Sequence, residues 1–359
     1  MLVGDVRKAL RTLPEKSIQT CVTSPPYWGL RDYGTPGQLG LEPTPEEYVA
    51  NMVEVFREVW RVLRKDGTLW LNLGDSYANA NPGSLKPKDL CGIPWRVAFA
   101  LQADGWYLRS DIIWNKSNPM PESVTDRPTK AHEYIFLLSK SKRYFYDAEA
   151  IREPAKWERW GNQTENKKHP GTAGHLGGKS LSELPISDKK NRRTVWTVAT
   201  KPFPGSHFAT FPPKLIEPCI LAGTSPRACE VCGSPWERVV EKERTLESGS
   251  GKSGKVPVGK NGPRLQGGGE TLDIRMGPRV KSITTGWQPT CTCQNKGQAA
   301  CTVLDPFGGS GTVTMMAEKL GRNSVYIDLN PEYLEMAKER CGFGGKLIDT
   351  ATYEIREGG

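Results

Sequence analysis

The sequence predicts a doubly wound α/β fold on a mostly parallel sheet, on three observations. Short apolar runs of strand character alternate with amphipathic helical periodicity over residues 1–138, and the alternation resumes over 301–340. A glycine-rich turn, Asp305-Pro306-Phe307-Gly308-Gly309-Ser310-Gly311-Thr312, stands between an apolar strand and a helix, the position at which such sheets open a ligand crevice. The chain has 359 residues, enough for one α/β body of roughly 200 to 250 residues plus insertions, which is favoured over two independent domains.

The elements follow in order. Residues 1–3 form a short strand that ends at Gly4-Asp5, and residues 6–13 a helix stopped by Pro14. Residues 18–23 alternate as a strand and stop before Pro25-Pro26, because proline cannot donate to a ladder. Thr44-Pro45-Glu46-Glu47 is a capping box with proline at the first helical position, followed by apolar residues from Val49 to Leu63 at three/four spacing; Asp66-Gly67 closes this helix. Strands are expected at 68–73, 107–114, 133–138, 301–304 and 324–327, and helices at 94–103, 212–221, 312–320 and 330–340. Residues 150–195 lose this periodicity and 245–290 are poor in apolar residues, so both are expected as loops or insertions outside the core.

The net charge of +9 is concentrated in two segments. Residues 151–200 hold ten Lys/Arg against five Asp/Glu, and 241–290 hold nine against five, which leaves the rest neutral. Such a surplus fits either a nucleic-acid footprint or solvated cationic loops. No apolar run reaches the ~20 residues of a membrane span, and Met1 to Asp5 has no signal-peptide character, so a cytoplasmic protein without a membrane partner is expected. Nine cysteines in such a compartment suggest thiols and a metal site, not a disulfide framework.

Two motifs carry chemistry. The glycine-rich turn has no Lys after it, unlike a phosphate-binding Walker loop, and Thr314 occupies the third glycine position of a dinucleotide fingerprint. Asp328 ends the next strand, where a carboxylate can accept hydrogen bonds from ribose hydroxyls; together these features suit an adenosyl group. The second motif is Thr23-Ser24-Pro25-Pro26-Tyr27-Trp28. An exocyclic amine of a nucleobase is a poor nucleophile because its lone pair is delocalised into the ring. Two fixed acceptors, the Ser24 hydroxyl and the Pro25 carbonyl, can bind its N–H groups and aim the lone pair at an electrophilic methyl. The prolines hold those acceptors still, and the Tyr27 ring can stack on an extruded base. The same residues would also serve as a rigid strand exit with a buried tyrosine.

In this order the motifs resemble the β group of DNA amino-methyltransferases, a permuted class with the catalytic motif first, the target-recognition region next and the S-adenosylmethionine motif last. The Ser-Pro-Pro-Tyr-Trp form is more similar to cytosine-N4 enzymes than to the Asp-Pro-Pro-Tyr of adenine-N6 enzymes. The resemblance implies a Rossmann-like, circularly permuted methyltransferase fold, S-adenosylmethionine as cofactor and double-stranded DNA as substrate, with base flipping. It leaves open a cognate restriction endonuclease and the oligomeric state. The implied catalytic residues are Ser24, Pro25, Pro26 and Tyr27. For the cofactor it implies Asp5 at the adenine amine, Phe307 near the adenine, Gly309, Gly311 and Thr312 around the methionine part, and Asp328, where the family usually has Glu, at the ribose. Thr23 and Asp305, which flank these motifs, are expected among the cofactor-binding residues, as are His207, Phe208 and Phe211, which match a segment that completes the pocket, while Lys130-Ala131-His132-Glu133 matches one near the target base.

The expected division is 1–149 for the catalytic half, 150–205 for target recognition, 206–225 for the cofactor-pocket segment, 226–298 for a basic zinc-ribbon-like insertion, 299–345 for the cofactor half and 346–359 for a tail. Lys156, Arg159, Lys167, Lys168, Lys189, Lys190, Arg192 and Arg193, with Trp157, Trp160 and Trp196 among them, are the candidate DNA contacts; a cationic loop is the alternative. Cys229-x-x-Cys232-Gly with Cys291-x-Cys293 offers four thiolates for structural zinc, against free thiols. Pro218-Cys219 has the dipeptide of a cytosine-C5 nucleophile but precedes the cofactor motif and sits in a helix, which favours a buried core cysteine. An adenine-N6 enzyme, an RNA or protein amino-methyltransferase, and a non-enzymatic zinc-ribbon module are the other functional classes.

Overall fold

The computed structural model describes residues 1–79, 83–155, 186–187, 189–201, 211–246, 278–294, 297–342 and 356–357. Their contacts divide the chain into two compact units, the first of residues 1–151, 193–237 and 287–359, the second of 152–192 and 238–286.

The first unit is built on a central sheet of nine strands among the described residues: β1 (Leu2–Val3), β2 (Ile18–Thr23), β3 (Leu63–Leu73), β4 (Tyr107–Asn115), β5 (His132–Ser139), β6 (Val195–Thr197), β7 (Thr302–Asp305), β8 (Asn323–Asp328) and β9 (Arg356–Glu357). Their order across the sheet is β9-β1-β8-β7-β2-β3-β5-β4-β6. Every neighbouring pair is parallel except the two made by β5, which runs against both β3 and β4. The sheet is therefore mostly parallel, with apolar residues on both faces of its middle strands, and β2 is buried at all six positions.

Helices cover both faces. On one side α1 (Val6–Arg11), α2 (Pro45–Val62) and α3 (Ile93–Ala103) pack on Cys21, Leu69, Leu71, Phe136, Leu304 and Ile327. On the other, α4 (Pro213–Gly223) and α5 (Thr312–Lys319) pack on the alternate residues Val22, Trp70, Ile135 and Val303, and α6 (Pro331–Arg340) packs on Tyr326. Thr44 caps α2 as the sequence requires, its hydroxyl accepting from the Glu47 amide at 3.2 Å. Tyr48, Met52, Val55, Phe56, Val59 and Val62 are then wholly buried along one stripe. This helix stops earlier than its periodicity suggests, because Leu63 pairs with Ile18 and begins β3. The register shifts between Ile18 and Thr20, and a Cβ at Gly67 would come 3.1 Å from the Gln19 carbonyl, a tight approach that a side chain there would crowd.

In the second unit Pro278–Gln288 lies between Glu237–Leu246 and the parallel Ile186–Ser187, and Glu153–Pro154 pairs antiparallel with Lys189–Lys190. These segments, expected from sequence as loops or insertions, contain strands. Long polar strands, exposed at Glu237, Glu241, Lys242 and Glu243, bury no alternating apolar face to announce them. No helix among the described residues is long and apolar enough to cross a membrane.

Candidate active site

The two motif-bearing strands are neighbours: Thr20 and Cys21 of β2 pair with Val303 and Leu304 of β7. From there the chain departs in opposite directions, β2 through α2 to β3 and β7 through α5 to β8, and this divergence opens a crevice beyond the strand ends. Directly beneath it the buried Thr23 hydroxyl donates to Asp305 Oδ1 at 2.7 Å. A cavity of about 410 Å³ follows, walled by Ser24, Pro25, Pro26 and Tyr27 on one side and by Phe307, Gly308 and Gly309 on the other.

Glycine is forced at two points of the β7–α5 turn. A Cβ on Gly308 would lie 2.2 Å from the Tyr326 ring, and Gly311, at φ +73°, caps α5 where a Cβ would strike Ala337 at 2.8 Å. The Tyr326 hydroxyl donates to the Gly309 carbonyl at 2.8 Å, and Arg340 donates to Ser310 and Thr312, so the turn is braced from below. Asp328 accepts from the amides of Gly309 (2.7 Å) and Asn330 (2.9 Å) while facing the cavity, and burial pushes its carboxyl above the usual carboxylate range.

Asp305 is more deeply placed. Burial drives its carboxyl up to about 7, opposed by hydrogen bonds from Thr23 and the Phe307 amide, with the charge of Asp328 adding to the rise. The unfolded chain would ionise this group near 4. Folding therefore favours the protonated form, so the contribution is full below about pH 4, declines as pH rises, and is lost once pH passes the folded value near 7. Asp305→Asn is expected to gain thermal stability relative to the wild type by several degrees between about pH 5 and 8. Melting curves of the two ligand-free proteins across that range check it; parallel curves would refute the buried acid.

The Tyr27 ring lies against Gly74, where a Cβ would come 2.5 Å from it. Its hydroxyl donates to Glu133 Oε2 at 2.7 Å and accepts from the Ser24 hydroxyl at 3.2 Å. Glu133 in turn is held by the Lys116 ammonium at 2.5 Å and by the Asn72 amide at 3.2 Å. Burial first, then the Glu133 charge, raise the Tyr27 phenol well above its ordinary value, so it remains a donor. The Tyr48 hydroxyl occupies the Pro26 carbonyl at 2.8 Å, whereas no described residue donates to that of Pro25.

Of the residues expected from sequence, Asp5, Phe211, Phe307, Gly309, Thr312 and Asp328 line the cavity with the Ser24 to Tyr27 segment; Thr23, Asp305 and Gly311 stand behind its wall. Asp5 also caps α1, accepting from the amides of Arg7 (2.9 Å) and Lys8 (3.2 Å). Trp196 is a buried residue of β6, and Lys190 sits 3.6 Å from Glu153 beside Lys189. Arg193 presents its carbonyl to the Trp196 indole at 2.7 Å, and Arg192 falls in the second unit. His207, Phe208, Trp157, Trp160, Lys156, Arg159, Lys167 and Lys168 lie outside the described residues. Sequence reasoning missed Lys116, Tyr33 and Tyr333 in the cavity wall. Lys116 had one signal, its place directly after an apolar strand; the tyrosines had none. The sulfurs of Cys229, Cys232, Cys291 and Cys293 lie within 4.8 Å of one another, and Cys219 is a buried residue of α4.

A family model described as DNA methylase matches residues 18–229 and 296–339. The type II methyltransferase M.SmaI of Serratia marcescens is 40% identical over 95% of this chain and 89% of its own length. M.Cfr9I of Citrobacter freundii is 39% identical over 94% and 85%. Among solved structures, the PvuII DNA methyltransferase (cytosine-N4-specific) superposes with a TM-score of 0.54 at 17% identity, covering 98% of this chain and 87% of that one. A putative DNA modification methylase from Thermus thermophilus, complexed with S-adenosyl-L-methionine, gives 0.50 at 21%, over 99% and 98%. With a family model matching well over half of its residues and relatives alike along nearly their whole length, this chain belongs to the DNA methylase family, the S-adenosylmethionine-dependent methyltransferases that modify N6 or N4 amino groups.

Proposed function

We propose that the chain is a site-specific, cytoplasmic cytosine-N4 methyltransferase of duplex DNA, with Ser24, Pro25, Pro26 and Tyr27 as its catalytic segment. The observation that carries this is the Thr23–Asp305 hydrogen bond, which joins the ends of β2 and β7 so that both motifs wall one cavity. The cavity's residues fit the cofactor. Asp328 is a half-buried carboxylate that accepts from the amides of Gly309, Asn330 and Leu329 and keeps acceptor capacity towards the cavity for a ribose hydroxyl, and a Cβ at Gly309 (φ +47°) would meet nothing within 4 Å, so the backbone there is open to a ligand. Phe307, Tyr333 and Met336 add aromatic and soft apolar surface for a purine. Bound S-adenosylmethionine supplies an electrophilic methyl on a sulfonium.

The protein's own work is placement. The Pro25 carbonyl and the Ser24 oxygen accept the two N–H groups of the extruded cytosine, draw the nitrogen towards a pyramidal geometry and direct its lone pair into the cavity. Phe307 and the Tyr27 segment exclude water from that space. Cytosine N4 is favoured by the serine at the head of the Ser-Pro-Pro-Tyr motif. Contacts to DNA phosphates and base edges are assigned to Lys156, Arg159, Lys167, Lys168, Lys189, Lys190, Arg192 and Arg193, and the type II names of the relatives favour a cognate restriction endonuclease as the cellular counterpart. Duplex DNA incubated with the purified protein and S-adenosylmethionine, then digested to nucleosides and analysed by mass spectrometry, is expected to contain N4-methylcytosine. N6-methyladenine would overturn the base assignment, and methyl incorporation only into RNA or protein would overturn the substrate.

A further inference from the structure

We propose that Cys229, Cys232, Cys291 and Cys293 bind one structural Zn²⁺ as a tetrathiolate, which fastens the Cys229–Cys232 knuckle and the Cys291–Cys293 segment together at the end of the catalytic sheet remote from the cavity. All four sulfurs lie within 4.8 Å of one another, and all four cysteines are free of disulfides. A tetrahedral zinc with Zn–S bonds of about 2.3 Å sets its sulfurs roughly 3.8 Å apart, so only a small contraction separates this cluster from a closed site. The backbone around it is already shaped for the purpose. The Gly233 amide donates to the Cys229 carbonyl at 2.8 Å and the Cys229 amide to Ser234 at 2.9 Å. Gly233, at φ +66°, thereby turns the chain so that Cys229 and Cys232 face one point.

The second pair of thiols is brought in by separate bonds. Thr290 Oγ1 donates to the Pro235 carbonyl at 2.7 Å, Gln288 to Glu237 at 2.5 Å, and Ala228–Cys229 pairs antiparallel with Gln298–Ala299. Apolar packing does little here. Trp236, Ala228 and Cys229 are buried, whereas Val231 is 62% exposed. A cluster with so small a core needs another source of cohesion, and metal ligation supplies it. Because Cys232 and Cys291 bracket residues 238–286, the metal also closes a long loop, where a cross-link removes most entropy from the unfolded chain.

The site's surroundings fix its role. The Arg64 guanidinium, 14% exposed and ion-paired with Asp66 at 3.0 Å, also donates to the Cys232 carbonyl and to Ser234 Oγ, tying the knuckle to β3. Gln19 donates to the Gly233 carbonyl at 2.9 Å and accepts from the Thr302 amide at 2.6 Å. Gln19, Arg64 and Thr302 stand at the starts of β2, β3 and β7, whereas Ser24 and Pro306 follow the other ends of β2 and β7. Four protein ligands leave no open position, so the metal holds structure and takes no part in methyl transfer.

Metal analysis of the full chain, purified with reductant and without added metal, is expected to give about one zinc per chain. Replacement by Co²⁺ is expected to produce the intense visible bands and thiolate charge transfer of a tetrahedral tetrathiolate. The double variant Cys232→Ser/Cys293→Ser should lose the metal and melt at lower temperature while binding S-adenosylmethionine within about twofold of the wild type; Cys91→Ala should keep the metal. Folded wild type without metal, iron in place of zinc, an octahedral cobalt spectrum, or a double variant that retains a full equivalent would each overturn the proposal. Should the double variant fail to fold, the wild-type stoichiometry and cobalt spectrum decide alone. Cofactor binding and metal content are read separately, so the clasp and the methyltransferase reading fail independently.

Discussion

Ser24→Ala is expected to lower kcat for DNA methylation by about 10²- to 10³-fold, the cost of removing one preorganised polar group from a reacting centre, while S-adenosylmethionine affinity stays within about twofold. The reason is the direction of the hydrogen bonds. Ser24 spends its only proton on the Tyr27 oxygen, so its lone pairs are left to accept from a substrate amine. Alanine keeps the loop, whose shape is set by Pro25, Pro26, the Tyr48–Pro26 bond and the Trp28 indole donating to the Glu42 carbonyl at 2.9 Å. It removes only the acceptor. Tyr27→Ala should lose turnover as severely, because it also empties the space against Gly74. Single-turnover kinetics beside cofactor titration checks both, and unchanged turnover in Ser24→Ala would remove Ser24 from the mechanism.

The parts of this architecture that could be read from sequence are those whose local chemistry is self-sufficient. Thr44 and Pro45 specify a helix start by themselves, Pro25-Pro26 specify a strand end, and Gly308 and Gly311 are required by contacts with Tyr326 and Ala337. The antiparallel sense of β5 was not legible, since periodicity carries no direction. The early end of α2 was hidden because Leu63 fits the helical stripe and the strand equally; pairing with Ile18 decides it. In the site, the catalytic segment, the Gly-rich turn and Asp328 come from motifs with a mechanism. Tyr33 reaches the wall through its loop path, which no local pattern encodes, and Lys116 is marked only by following a strand end. The cysteine cluster was legible from ligand spacing, but its attachment through Gln19 and Arg64 was not.

Glu133→Gln is expected to lower kcat by about 10- to 10²-fold, the worth of a charge-assisted hydrogen bond, again without loss of cofactor affinity. An ionised carboxylate can only accept, so Glu133 compels Tyr27 to donate to it, and Tyr27 must then receive the Ser24 proton. A glutamine can turn its NH₂ towards the phenol. Tyr27 is then free to donate either to the Asn72 amide oxygen at 3.2 Å or back to Ser24, and in the second orientation it occupies the lone pair that the substrate amine needs. The carboxylate is a positioning residue that acts through Tyr27, which gives a test that simple loss of packing would not pass. In Tyr27→Phe the relay is already absent, so adding Glu133→Gln should cost little more, and the two effects should be far from multiplicative. Multiplicative losses would mean that Glu133 acts by another route, through Lys116, whose ammonium it holds at 2.5 Å. The neutral partner should also matter less to binding than to rate, because the direction of the Ser24 hydroxyl matters most when the amine nitrogen begins to pyramidalise and its N–H groups become stronger donors.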